Sequence, residues 1–112
     1  MPNESHAELK AKVRASKAWK DLREIVRKKQ NNKDFLTEKR LAKKTAAVHH
    51  MDLDSANYGD FSDLSHFMFL NSKSHEFLHW AYEVYKKDPT FLDRVKYALD
   101  EMVEINQGQS FR

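Results

Sequence analysis

The chain has no cysteine among its 112 residues. That excludes both a disulfide framework and a thiolate zinc site, so any metal it holds must be bound through imidazole and oxygen. No apolar run approaches the ~18 residues of a membrane span, and Met1 to Gln30 is charged throughout, without the apolar block of a signal peptide. A soluble, cytoplasmic protein with no membrane partner is therefore expected. There is no internal repeat and no low-complexity segment. With 40% hydrophobic residues, the length suits a single domain, 1–112, with a modest core.

What the chain has in excess is histidine in one place. Five of its six histidines fall between Val48 and Trp80. His49 and His50 open the stretch, His75 and His79 close it, and His66 lies between. The spacing of four puts His75 and His79 on one face of a helix, near enough to hold one metal ion together. Imidazole fills a core poorly, whereas it ligates metals and moves protons well. His49 and His50 are neighbours, so on a strand they face opposite sides.

Charge is distributed unevenly. Residues 1–47 hold 14 Lys/Arg against 6 Asp/Glu, and residues 48–112 hold 6 against 11, so that +8 and −5 give the net +3. A basic half beside a metal-type centre suits a polyanion, because phosphates gain from Lys and Arg through counterion release. Taken alone, the charge fits a solvated helix face better than a polyanion site.

In chain order, Leu9, Val13, Trp19, Leu22, Ile25 and Val26 recur at helical spacing and predict one basic amphipathic helix from about Glu4 to Gln30, stopped by Asn31 and Asn32. Phe35–Thr37 and Thr45–His50 are β-capable and predict a small hairpin with a long connection. Met51 to Ser65, with aspartates at 52, 54, 60 and 63, lacks the glycine and closing glutamate of an EF-hand and is expected to be a connecting loop. Phe67–Leu70 is a short apolar run that must be buried. A helix from about Ser72 to Lys87 follows, with Phe77, Leu78, Ala81, Val84 and Tyr85 on its apolar side. After Asp88-Pro89 another helix runs to about Asn106 and is expected to bury Phe91, Leu92, Val95, Leu99, Met102 and Val103. Trp19, Trp80 and Tyr82, at helical spacing, are expected in the core, and Gln107 to Arg112 is expected to fray.

This order of hairpin, histidine pair, loop, extended run and histidine-bearing helix resembles the HNH nucleases, the ββα-metal or His-Me finger family. Their second half usually reads Asn-Leu-x-x-Leu-Cys-x-x-Cys-His-x-x-x-His. The stretch His66-Phe67-Met68-Phe69-Leu70-Asn71-Ser72-Lys73-Ser74-His75-Glu76-Phe77-Leu78-His79 keeps that interval without a gap. Trp19-Lys20-Asp21-Leu22-Arg23 and Leu36-Thr37-Glu38-Lys39 also resemble the lead-in of small phage-encoded HNH proteins. Residues 16–80 carry the resemblance. Asn71 and Ser74 stand at the cysteine positions, so no zinc knuckle can form and other packing must brace the finger. His66 stands where the family has asparagine.

The resemblance implies an α+β, mostly helical fold: a basic helix over 1–32, an HNH-like ββα core over 33–80 and a helical extension over 81–112. It implies a metal-dependent DNA endonuclease or nickase, in the cytoplasm of a bacterial host if phage-encoded. His49, His75 and His79 would hold one divalent ion, with zinc, nickel, cobalt or manganese favoured over magnesium by the imidazole donors. His50 would be the general base, oriented by His66. Lys17, Lys20, Arg23, Arg27, Lys28, Lys43 and Lys44 would meet the nucleic acid. The alternative is a catalytically silent protein that keeps the finger as a scaffold and binds nucleic acid or a host protein such as the transcription machinery.

Overall fold

Ser5 opens the first helix, its hydroxyl accepting from the Glu8 backbone N–H at 3.1 Å. This helix, α1, spans His6–Ala15 in the computed structural model, which describes residues 5–107. A second helix, α2, spans Lys17–Lys29. The single helix expected from Glu4 to Gln30 is thus two, and Glu4 and the tail beyond Gln107 lie outside the described residues. Ser16 makes the break. Its backbone is extended, and its hydroxyl accepts from the Trp19 N–H at 3.2 Å while donating to the Val13 carbonyl at 2.6 Å. One serine therefore ends α1 and caps α2, the local bonding by which serine competes with a continuous helix.

At its other end α2 stops at the expected asparagines. Asn31 and Asn32 take left-handed φ values of 55° and 59°, their N–H groups donating to Lys28 and Arg27 carbonyls at 3.0 and 2.9 Å. That is the double hydrogen bond of a Schellman cap, with the residue type that tolerates it best after glycine.

Phe35–Thr37 does not form the expected first strand. Asp34 captures it instead, accepting from the Thr37 N–H and the Thr37 hydroxyl at 2.7 Å each, so the segment closes into a turn that ends with Glu38 at φ 60°. An aspartate that bonds its own downstream backbone favours a turn over a ladder. The sheet is built from other partners: β1, Ala47–His50, pairs antiparallel with β2, Phe67–Leu70, with His49 opposite Met68 and His50 opposite Phe67. The resulting fold is mixed α and β, with four helices and one two-stranded sheet among the described residues.

Period-two alternation divides the sheet between two environments. Val48, Phe67 and Phe69 face α2 and form the core with Trp19, Leu22, Val26 and Leu41, with Val13, Ala46 and Phe61 packed against it. His50 lies on this side. His49 lies on the other, its ring edge-on to His75 at 5.4 Å between centroids. The outer edge of β2 is closed by Gln30, whose side-chain amide accepts from the Phe69 N–H at 2.7 Å and donates to the Phe69 carbonyl at 2.9 Å. The loop between the strands is pinned at its neck by the Met51 N–H donating to the His66 carbonyl at 2.7 Å. Within it Asp52, Asp54, Asp60 and Asp63 each accept from the backbone N–H two residues on. The four aspartates thus build turns, as a connecting loop requires.

Helix α3 spans Ser72–Tyr85 and α4 spans Phe91–Ile105. The chain divides into two compact units, Met1–Glu76 and Phe77–Arg112, the division falling inside α3. In the second unit Trp80 meets Phe91 edge-on at 5.5 Å, and Asp88 holds the turn, accepting from the Thr90 N–H at 3.1 Å and pairing with Arg94. Burial here falls short of expectation. Phe91 and Ala81 are buried, but Leu92, Leu99, Met102 and Val103 are exposed, as are Phe77, Trp80, Tyr82 and Tyr85. Helical periodicity identifies an apolar face, and nothing in this small unit covers all of it.

Candidate metal centre

The three histidines assigned to metal come together. His49 is buried on β1, while His75 and His79 are a turn apart on α3, which is continuous through the division between the units. Each offers a ring nitrogen, and the three nitrogens lie within 4.8 Å of one another. Donors on a tetrahedral ion sit about 3.4 Å apart, at metal–nitrogen distances of ~2.0–2.1 Å, so the three nitrogens are near enough together for one ion to be shared. Exposure rises from His49 to His75 to His79, giving a buried floor and an open rim. Three neutral imidazoles in that arrangement suit zinc, nickel, cobalt or manganese.

The N-terminus of α3 is fixed by a hydrogen-bonded hub that sequence reading missed. Asp34 is fully buried and accepts from the Asn71 N–H at 2.7 Å and the Ser74 hydroxyl at 2.9 Å, besides its two bonds from Thr37. Asn71 in turn accepts from the Ala42 N–H at 2.7 Å and donates to the Arg40 carbonyl at 3.1 Å. Burial disfavours the Asp34 carboxylate, but the bonds from Thr37, Asn71 and Ser74 prevail and hold its pKa below the ordinary value. The signal was present in sequence as Asp followed three residues later by Thr, a capping spacing.

His50 and His66 line a different place. Together with Asp52, Asn57, Asp60 and Phe67 they border one pocket. His50, Tyr58 and Trp19 form a mutual aromatic cluster, with His50 4.3 Å from Tyr58 and 5.3 Å from Trp19 and those two 6.3 Å from each other, and His50 meets Phe67 edge-on at 5.1 Å. Its Nε2 is buried without a hydrogen-bond partner. Burial lowers its pKa, the Tyr58 backbone opposes this, and Lys10 and Arg14 add to the lowering. The imidazole is therefore biased toward its neutral form. Tyr58 is itself buried and held by the Arg14 Nε at 3.2 Å, another residue that sequence reading passed over, marked only as an aromatic in a polar loop. His66 is exposed, and its Nε2 lies 3.4 Å from Asp63.

The basic residues assigned to nucleic acid occupy three settings. Arg23 and Arg27 lie over the Phe69 ring at 5.4 and 5.3 Å, their stems covering the core. Lys17 pairs with Asp21 at 2.8 Å, and Lys20 and Lys28 are exposed along α2. Lys43 and Lys44 are exposed in the turn before β1.

No described helix is long and apolar enough to cross a membrane. Compared with protein-family models, curated proteins and solved structures, the chain matches none.

Proposed function

We propose that this chain is a metal-dependent endonuclease or nickase of the HNH type, with β1, β2 and α3 as its ββα-metal finger. The observation that carries the reading is the convergence of His49, His75 and His79 within 4.8 Å, from the positions at which the sequence resembles the family's ligands. His49, His75 and His79 would hold the ion, which would supply Lewis-acid stabilisation of phosphate oxygens and of the charge on a leaving 3′ oxygen.

The chain's own groups have distinct tasks in this reading. His50 takes a proton from water, and its Nε2 is the ring nitrogen without a hydrogen-bond partner. Its neutral bias suits a base, since only the unprotonated ring accepts. His66, on the same pocket, orients the site in place of asparagine. Lys17, Lys20, Arg23, Arg27, Lys28, Lys43 and Lys44 offer charge to a DNA backbone. The hub of Asp34, Asn71 and Ser74 takes over the bracing that the family's zinc knuckle provides.

Three observations favour a second reading, a catalytically silent scaffold that binds nucleic acid or a host protein. His49 and His50 face opposite sides of the sheet, His50 packs against Trp19 and Tyr58, and Asp52 and Asp60 border its pocket. Carboxylates there repel a phosphate.

Cleavage of supercoiled plasmid with magnesium, manganese, nickel, cobalt and zinc separates the two. The nuclease reading expects metal-dependent nicking that His50→Ala and His75→Ala both abolish, with metal affinity kept in His50→Ala. Folded protein that binds metal and cuts nothing with any ion supports the scaffold.

A further inference from the structure

Helix α1 meets the loop at Tyr58 and Gly59, where the loop packs on His50. The ammonium of Lys10 lies over the Tyr58 ring, 5.6 Å from its centroid. Arg14 donates from Nε to the Tyr58 hydroxyl at 3.2 Å. Val13 stands 3.5 Å from where a Cβ would lie on Gly59. Positions 10, 13 and 14 share one helix face, so the apolar contact that seats α1 on the loop brings two cations with it. The Tyr58 ring lies 4.3 Å from His50, and the charges of Lys10 and Arg14 are both felt at that imidazole.

These cations are not spent on ion pairs. Lys17, Lys86, Lys96 and Arg94 are each paired with a carboxylate, whereas neither Lys10 nor Arg14 has such a partner among the described residues. Lys10 is half-buried and Arg14 exposed. The bond from Nε fixes the plane of the Arg14 guanidinium and leaves its terminal nitrogens as a fork, which fits a phosphate through two parallel bonds. The pocket that His50 borders carries the opposite charge, Asp52 and Asp60. A phosphodiester brought to His50 is repelled by both, and the two cations of α1 offset them.

We infer that Lys10 and Arg14 grip a phosphate of a nucleic-acid backbone next to His50, so that α1 sets the strand at the pocket in spite of its carboxylates. The ligand is a phosphodiester, recognised by its charge and by the guanidinium fork and not by its base. The inference rests on the nucleic-acid reading of this site but concerns binding, so it holds even where cutting fails.

Fluorescence anisotropy of the full chain with a short labelled DNA duplex over a range of salt tests it, beside nicking of that duplex with the same five ions. Lys10→Gln/Arg14→Gln is expected to bind at least tenfold more weakly at low salt, with the slope of log affinity against log salt flatter by about two. Arg14→Lys keeps the wild-type slope and loses only part of the affinity, because it retains the charge without the fork. Tyr58→Phe, which releases Arg14 and leaves its charge, also keeps the slope. Where the wild type nicks, the double variant shows its loss in KM, and a neutral methylphosphonate beside the nicked bond weakens the wild type but not the variant further. A wild type without DNA affinity overturns the inference. A double variant with unchanged affinity and slope also overturns it, and if that variant still nicks, the nuclease reading survives. Weaker binding with an unchanged slope in the double variant assigns both residues to holding Tyr58 and overturns it too. A wild type that cuts nothing, yet loses affinity and slope in the double variant, upholds the inference and removes the nuclease reading.

Discussion

Asp34 ties the turn at Thr37 to the start of the helix that carries His75. It is fully buried and accepts four hydrogen bonds, two of them from Asn71 and Ser74 at the start of the helix that carries His75. Asparagine at this position keeps the shape but turns one acceptor oxygen into a donor, facing the Thr37 and Ser74 groups that now donate to it. Hydrogen bonds to a charged group contribute roughly 1.5–3 kcal/mol each and are not additive. Asp34→Asn is therefore expected to destabilise the fold by about 2–4 kcal/mol, read from urea unfolding. Acid gives an independent test. Since the folded state depresses the Asp34 pKa, the folded chain binds fewer protons than the unfolded one, and stability rises with pH. The contribution is complete above the ordinary aspartate value of about 3.9 and is lost as pH falls through the lower folded value. Melting temperature should drop on acidification below about pH 4, and less steeply in Asp34→Asn.

Among the elements, the Ser16 break decides how the N-terminal half meets the sheet. It allows Val13 from α1 and Trp19, Leu22 and Val26 from α2 to reach one core. Ser16→Ala removes the cap on Trp19 and the bond to Val13, and loss of an N-cap costs about 1 kcal/mol. A lowered melting temperature is expected, together with weaker burial of Trp19, visible as red-shifted and more quenchable tryptophan emission. The break left only a faint trace in sequence: the step from Val13 to Trp19 is six residues, which departs from the three-and-four spacing at Ser16, but one serine carries no periodic signal of its own. The same limit applies to the sheet. Thr45–His50 was legible as a strand and Phe67–Leu70 as a buried run, but their pairing was not, since a local aspartate withdrew Phe35–Thr37 from the ladder. Asn31 and Asn32 were legible because their left-handed backbone is a residue-level preference. On α3 and α4 the apolar faces were legible and their exposure was not. Spacing reports that a face exists, whereas covering it depends on elements elsewhere.

Across the whole molecule, the basic N-terminal half and the acidic remainder, +8 over 1–47 and −5 over 48–112, divide the labour in the proposed reading. In that reading the exposed lysines on α2 and in the turn before β1 are the groups that would meet a polyanion. If DNA is the partner, its affinity should fall steeply with salt, and Lys43→Ala/Lys44→Ala should flatten the slope by up to about two units. A shallow slope in the wild type sends the search toward a protein partner. The histidine spacing on α3 and the facing of His49 away from His50 were legible at this scale because helix and strand periods dictate them.

The central claim is that His49, His75 and His79 form one metal site, and calorimetric titration of the full chain with zinc and with nickel tests it most directly. The account predicts one equivalent bound near neutral pH, with affinity falling at least tenfold in each of His49→Ala, His75→Ala and His79→Ala and little changed in His66→Ala. Absence of binding by folded protein, or binding that survives loss of any two of the three histidines, would contradict it.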